Sequence, residues 1–337
     1  MSEHRVTVVV PTLAAGPALL DCLRSLVNQT RRDIEVVVVD NSGKQLARHM
    51  EAERYGARVI DSDRNLGFGA AINVAFRSCR APFLATLNDD AAASPGWIEV
   101  LLAAIEARPD AGMCASQVRL AGDGRLDSAG MLICGDGSTK QRGHQEPPQR
   151  YDRPEEVLFP SGCAALYRGA MLEDIGLFDE DFFLYCEDSD LGLRGRWAGW
   201  KCLYAPQAVV EHRYSETAGR ASPLKAYYVE RNRLLLLAKN FPASRLALAP
   251  LYALARYFWH ALSMLEGRGS AARFRRENKS PLELLFIVLR AHCALLFRAP
   301  SLWRRRREIR ARARISSREF RRLLDAHSIS PRQVAVL

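Results

Sequence analysis

Phe182–Arg194, FFLYCEDSDLGLR, places three carboxylates within four residues: Glu187, Asp188 and Asp190. Like charges this close repel, so a fold that gathers them has a use for the charge. The uses are a metal ion, a proton to be removed, or a helix N-terminus, where carboxylates are favourable. The apolar-basic sequence Leu191–Arg194 after the acids reads as a helix. A helix start would explain one isolated acidic cluster. It does not explain a second, Asn88-Asp89-Asp90, closing a strand-like run well upstream.

Around that second cluster the chain alternates strand and helix. Val6–Val10 is a β-branched run ending at Pro11-Thr12, and Leu19, Leu20, Leu23, Leu26 and Val27 recur at helical spacing. Ile34–Val39 is a second buried strand, ending in Asp40. Lys44–Tyr55 reads as a helix, Arg58–Ile60 as a strand, Ala70–Arg77 as a helix and Phe83–Leu87 as a strand. Continuous apolar strands separated by helices indicate an α/β fold whose mainly parallel sheet is covered by helices. Ligands of such sheets bind beyond the carboxyl ends of the strands. Thr12, Asp40-Asn41-Ser42 and Asn88-Asp89-Asp90 all fall at those ends. The loop Asp63–Gly69, DRNLGFG, precedes a helix, where glycines let backbone N–H groups approach a phosphate. It lacks the third glycine of the dinucleotide fingerprint, and a tight turn is the equal alternative.

Composition bounds the remaining possibilities. The chain has 337 residues, 48% of them hydrophobic, enough for one large or two modest globular units. Its eight cysteines are scattered without a C-x-x-C pair, a pattern of reduced structural thiols in a cytosolic protein. MSEHRVTVVVPT has no signal-peptide apolar region. The net charge is +10, and residues 301–337, with eleven Arg and three acidic residues, hold +8 of it. Clustered arginines can bind nucleic acid. No stacking aromatics interleave with these, and the rest of the chain is near neutral, so that class is set aside.

The series VVVPT, VVVVDNSG, DRNLGFGAAIN, FLATLNDDAAASPGW, SGCAALYR, IGLFDEDFFLYCEDSDLGLR and APQAVVEH, in this order over roughly residues 5–240, resembles the inverting family-2 glycosyltransferases. Within them it is most similar to the bacterial rhamnosyltransferase-like branch that builds cell-envelope polysaccharides. The resemblance implies a GT-A nucleotide-sugar-binding fold over residues 1–222, followed by a helical, Arg-rich C-terminal extension over 223–337. It implies a nucleotide-sugar donor, foremost dTDP-L-rhamnose, and a lipid-linked saccharide acceptor. A UDP- or GDP-hexose or UDP-galactofuranose donor is the alternative within the class, and a non-catalytic sugar-nucleotide binder the alternative outside it.

The resemblance also assigns residues. Asp90 takes the position that contacts a divalent cation, Mg²⁺ or Mn²⁺, and His212 joins the metal or the diphosphate. Hard oxygen ligands suit such ions, and the donor's diphosphate supplies part of the shell. Asn88 and Asp89 complete the triplet, with Asp89 where many relatives carry Pro or Asn. Asp40 holds the pyrimidine or ribose, or else serves only as a turn residue. Pro11 and Thr12 line the base pocket, and Asn41, Asn65, Gly67 and Asn73 lie along the nucleotide. Asp188 is the base that takes the acceptor's proton, Glu187 orients a neighbour or the acceptor, and Asp190 caps the following helix.

Two further regions carry expectations. Residues 119–158 are polar and rich in Gly and Pro, reading as a strand or two interrupted by a mobile loop. Leu224–Asn240 reads as a helix bearing Arg231, Asn232 and Arg233, with at least one arginine facing solvent and one reaching a phosphate. Leu246–Leu265 could just span a bilayer's hydrocarbon, but Pro250, Arg256 and His260 interrupt it. Together with Leu284–Phe297 and the cluster Trp303–Arg307 it suits the interface of an anionic membrane, the alternative being an amphipathic bundle packed on the catalytic domain with a solvated basic tail. The interfacial reading places the protein in the cytoplasm, at the inner face of the plasma membrane.

Overall fold

Val6–Thr12 (β1), Ile34–Asp40 (β2), Ala57–Asp61 (β3) and Phe83–Leu87 (β4) are short, largely apolar runs. They bury both faces only if helices cover both sides of the sheet. In the computed structural model, which describes residues 4–213, 222–267, 269, 272, 274, 276 and 281–336, they pair in parallel in the order β3-β2-β1-β4. Ala164–Arg168 (β11) runs antiparallel to β4 and to Ala111–Leu120 (β6), and Lys201–His212 (β12) is parallel to β6. Ala91–Ala93 (β5), Leu126–Ser128 (β7) and Glu155–Val157 (β10) add short antiparallel pairings at β12 and β6. Pro17–Val27 (α1), with Pro at its first position, brings Leu19, Leu23 and Leu26 to this sheet's core. Trp97–Glu106 (α4) brings Trp97, Leu101 and Ile105. The expected α/β class, with its parallel strands and helical cover, holds.

Two local expectations fail. Lys44–Tyr55 is not one helix: Leu46–His49 (α2) stops, Glu51 takes a left-handed conformation at φ 56°, and Ala52–Tyr55 is a 3₁₀ turn. Arg48 is drawn off to Asp61 (2.6 Å) and Glu53, and Ala52 turns inward to be fully buried. Residues 119–158 are more ordered than their composition suggests. They form β7, Met131–Ile133 (β8), Thr139–Gln141 (β9) and β10, with Asp127, Ser128 and Asp136 buried among them.

Phe68–Ser78 (α3) begins at a glycine for a steric reason. Gly67 has φ +86°, and a Cβ there would meet the Phe183 carbonyl oxygen at 2.1 Å. That same oxygen accepts the Phe68 N–H at 2.9 Å. The Phe68 N–H at this helix start is therefore bonded to the protein's own backbone. Gly67→Ala is expected to cost at least about 2 kcal/mol, from left-handed strain plus the displaced carbonyl. Urea unfolding of the two proteins measures it, and equal midpoints would contradict the contact.

Two compact units divide the chain. One comprises Met1–Met131, Gln141–Phe183 and Trp200–Thr217, and so the whole large sheet. The other comprises Leu132–Lys140, Leu184–Gly199 and Ala218–Leu337. Its helices, following Gly169–Ile175 (α5) of the first unit, are Glu187–Trp197 (α6), Pro223–Asn240 (α7), Ala243–Leu265 (α8), Pro281–Ala311 (α9), Ser317–Ala326 (α10) and Pro331–Val336 (α11). The Trp197 ring stacks on Phe320 with centroids 3.8 Å apart, and its Nε1 donates to the Asn240 carbonyl at 2.9 Å.

Charge in this second unit is largely structural. Asp190 is not a helix cap. That position belongs to Cys186, while Asp190 is fully buried and accepts from Arg194 Nε (2.8 Å), Lys239 Nζ (2.7 Å) and Asn240 Nδ2 (2.9 Å). Arg231, Asn232 and Arg233 are all buried, against the expected solvent-facing arginine. Within the arginine cluster, Arg306 donates to the Ala238 carbonyl and Arg310 to those of Asn240 and Phe241. The last carbonyls of a helix lack intrahelical partners, so cations are favoured there. Among the described residues no helix is long and apolar enough to cross a membrane.

Candidate functional site

Parallel pairing brings the ends of β1, β2 and β4 to one edge of the first unit's sheet. Thr12 ends β1, and its hydroxyl donates to Asp89 Oδ2 at 2.6 Å while accepting the Ala15 N–H. Burial pushes the Asp89 carboxyl up to about 6; the Thr12 hydrogen bond opposes this and the charge of Asp90 adds to it. Antiparallel pairing of β5 with β12 sets His212 opposite Ala91, next to Asp90.

The geometry there is specific. His212 Nε2 lies 3.1 Å from Asp90 Oδ1 and 3.5 Å from Asn88 Nδ2. Its Nδ1 lies 2.8 Å from Asp127 Oδ2. Asp127 reaches it because β7 pairs with β6, the neighbour of β12. Burial opposes a charged imidazole, but Cys163, Asp127 and Asp90 outweigh it and hold the His212 pKa well above the usual histidine value. Burial likewise works against Asp127, whose bonds from His144 and His212 keep its carboxyl below the ordinary range. Asp90, His212 and Asp127 thus form a buried polar chain.

Composition had hidden two of these partners. Asp127 and His144 lie in the stretch read as a strand or two interrupted by a mobile loop, and only strand register shows that Leu126-Asp127-Ser128 is a buried strand. No local pattern distinguishes Asp127 from a solvated turn acid.

Other predicted donor residues have duties of their own. The Asp40 oxygens accept the Ser42 and Ala47 N–H groups at 2.8 and 2.6 Å, the turn role. Asn41 Nδ2 donates to the Gly67 carbonyl (3.1 Å) and to Asn65 Oδ1 (3.3 Å), and its Oδ1 accepts the Leu66 N–H (3.0 Å). These bonds shape the loop after β3. Asn73 is buried, with its amide bonded to Phe178 and Glu180 (2.9–3.0 Å), so it latches that segment. Pro11 stays within β1, in register with Val39. A cavity of about 630 Å³ lined by Arg5, Arg80, Phe83 and Arg168 lies where β1 and β4 begin, the opposite strand ends from Thr12 and Asp90.

In the second unit, Tyr185 and Cys186 both adopt left-handed conformations before α6. They deliver Glu187 and Asp188 to the helix N-terminus. Glu187 is buried, and its Oε2 has no hydrogen-bond partner among the described residues. Burial, and after it the negative charge of Asp188, pushes the Glu187 carboxyl up to about 8, so it keeps its proton at neutral pH. Asp188 is only partly buried, and its Oδ1 accepts the N–H (2.6 Å) and hydroxyl (3.1 Å) of Ser189. The Ser189 hydroxyl also lies 3.4 Å from Thr139 Oγ1, tying α6 to β9. A buried, protonated acid beside a partly exposed carboxyl group is an arrangement that can take a proton at Asp188 and donate a hydrogen bond at Glu187.

Comparison with known proteins adds to this geometry. Residues 7–176 match the family described as Glycosyl transferase family 2. The chain is 31% identical over 247 residues to N-acetylglucosaminyl-diphospho-decaprenol L-rhamnosyltransferase of Mycobacterium tuberculosis, covering 66% of this chain and 80% of that protein. Among solved structures, GalNAc-T7 with UDP, GalNAc and Mn²⁺ superposes with a TM-score of 0.57 at 15% identity, over 81% of this chain and 54% of that one. The S. aureus TarS 1–349 complex with UDP-GlcNAc gives 0.54 at 18% identity, over 96% and 91%. These two likenesses concern the fold.

Proposed function

The chain belongs to glycosyl transferase family 2, and from that premise we propose that it is an inverting, metal-dependent enzyme moving L-rhamnose from dTDP-rhamnose onto a lipid-linked saccharide. That it is a glycosyltransferase of GT-A fold follows from the family and its structural neighbours. The observation that carries the rest is the buried chain Asp90–His212–Asp127 at the strand ends. The donor and acceptor classes rest on the likeness to the mycobacterial rhamnosyltransferase.

The donor set fits a divalent cation. Asp90 would offer a hard oxygen and His212, once the ion replaces the proton held between its Nε2 and Asp90, an imidazole nitrogen, a combination suited to Mn²⁺. The carboxylate behind Nδ1 is the partner that metal-bound histidines characteristically have. Among the described residues no three His, Cys, Asp or Glu side chains form a complete cage, so the donor's phosphate oxygens and water must fill the remaining positions. Bound there, the ion would neutralise charge on the departing diphosphate. Thr12 and Asp89 flank the donor, as do Asn88 and the loop shaped by Asn41, Asn65 and Gly67. Asp188 takes the acceptor hydroxyl's proton as its oxygen attacks the anomeric carbon, and the bond from that carbon to the diphosphate breaks. Glu187, protonated, orients the acceptor.

Asp127→Ala is expected to raise the Mn²⁺ concentration for half-maximal activity about 10–100-fold. Metal titration of the rate measures this, and an unchanged titration would remove His212 from the metal's ligands.

Exposed Leu251, Leu254 and Phe258 on α8, with Phe286, Phe297 and Trp303 on α9, support contact with a membrane surface beside exposed Arg304 and Arg307. The test of the donor is thermal-shift binding of thymidine, uridine and guanosine diphosphates and their sugars, with Mn²⁺, with Mg²⁺ and with chelator. A metal-dependent shift largest for dTDP-rhamnose supports the reading. A larger shift with a UDP- or GDP-sugar replaces the donor, and no shift at all overturns the strand-end assignment.

A further inference from the structure

Two carboxylates and four cations meet in the second unit, and the carboxylates are already committed. Asp136, in the turn between β8 and β9, accepts from Arg256 Nε at 2.5 Å and lies 3.7 Å from Arg233 Nη1. Glu230 on α7 binds Arg233 and accepts from Arg256 Nη2 at 2.9 Å, and the Tyr257 hydroxyl donates to it as well. The two arginines therefore account for both acids.

Lys140 is left over. It follows Thr139 on β9, the residue bonded to Ser189 beside Asp188. No hydrogen bond or ion pair engages Lys140 among the described residues. Burial and the positive charges of Lys225 and Arg256 beside it push its ammonium down to about 8. Lys225, from the first turn of α7, places its ammonium 5.5 Å from the centre of the Tyr185 ring, three residues before Asp188. His260 on α8 keeps a buried Nδ1 without a partner. Burial, then Arg256 and Lys140, push its imidazole down to about 4, so the ring is neutral and has one N–H to donate. Lys140 is partly buried, and an ammonium held away from water without a counterion is costly; folds keep such costs where a ligand removes them.

We propose that Lys140, Lys225 and His260 form an anion site that takes the diphosphate of the acceptor, next to the carboxylate that deprotonates its sugar. The assignment to the acceptor rests on the lipid-linked acceptor proposed above, taken as a lipid diphosphate from the likeness to N-acetylglucosaminyl-diphospho-decaprenol L-rhamnosyltransferase; the anion site itself does not. Two ammonium groups and a neutral N–H donor match a diphosphate's charge and its many acceptor oxygens. Anion binding also restores the full charge of Lys140.

The test is isothermal titration of the full-length protein, with chelator present, using inorganic pyrophosphate and a short-chain prenyl diphosphate as probes. Lys140→Ala is expected to weaken both about tenfold or more, the worth of a charge-assisted hydrogen bond, while Lys140→Arg keeps most of the affinity. Asp90→Asn should leave both unchanged, because with chelator the strand-end site is not the one measured. Ligand-free Lys140→Ala should melt no lower than wild type. Unaltered pyrophosphate binding in Lys140→Ala overturns the proposal, as does a fall in its ligand-free melting temperature, which would mark Lys140 as structural. Binding of pyrophosphate but not of the prenyl diphosphate assigns the site to free phosphates and overturns its link to the acceptor. Lys140-dependent binding of both, with no transfer to any diphosphate lipid, would instead count against the acceptor named above while the anion site stands.

Discussion

Asp188→Asn lowers kcat by about 10²–10⁴-fold, the range lost when a general base is removed, and leaves the donor's dissociation constant unchanged. Asparagine keeps the shape and can still accept from Ser189, so the loss reports proton transfer and not a collapsed helix start. Glu187→Gln is the control. Glu187 carries its proton up to about pH 8, and glutamine presents a similar shape with N–H donors, so this variant retains most activity at neutral pH. Its stability gives a second readout. A carboxyl whose folded pKa is raised from 4.5 to about 8 contributes stability below the lower value and loses it as pH rises through the higher. Glutamine does not titrate, so Glu187→Gln gains melting temperature over wild type progressively between about pH 4.5 and 8. Rates and melting curves for both variants check this. If Glu187→Gln lost as much activity as Asp188→Asn, or Asp188→Asn none, the base would have to be sought elsewhere.

The sheet was legible because burial writes itself into local sequence. Val6–Val10, Ile34–Val39 and Phe83–Leu87 are continuous apolar runs, and all three are central strands. Strand ends then located Thr12, Asp90 and, through β12, His212. What stayed hidden depends on contacts between residues distant in sequence. Nothing near Asp127 indicates that β7 pairs with β6 and carries it to His212. Nothing near Lys140 or Asp136 announces that a Gly-rich hairpin belongs with α7 and α8. The glycine at 67 was noticed, but a phosphate and the Phe183 carbonyl impose the same demand on a backbone, and sequence cannot tell them apart. Asn73 is ambiguous for a similar reason: an amide that latches Phe178 and one that faces a ligand are the same letter.

The acidic triplet itself divides into three roles, and Asp190 shows how far apart they are. Asp190→Ala is expected to destabilise the protein by about 3–5 kcal/mol, the cost of breaking a buried ion pair from one side. Lys239 is 2% exposed and Arg194 8%, so neither charge can reach water when its counterion goes. Asn240 would also lose the acceptor for its amide. The melting temperature should fall by roughly 10 °C. Burial opposes the Asp190 charge, but Lys239 and Arg194 outweigh it and bring its carboxyl down to about 2. A folded pKa below the unfolded one contributes stability above the unfolded value and loses it as pH falls through the folded one. The gap between wild type and variant should therefore be widest at neutral pH and close as pH approaches about 2. Well below its melting point the variant should keep far more activity than Asp188→Asn, because the Asp190 carboxylate is turned to Lys239, Arg194 and Asn240 and away from solvent. An unchanged melting temperature with activity lost would reverse that assignment and make Asp190 the reacting carboxylate. Two aspartates separated by one serine would then have exchanged roles: one spent on holding α6 to α7, the other on the reaction.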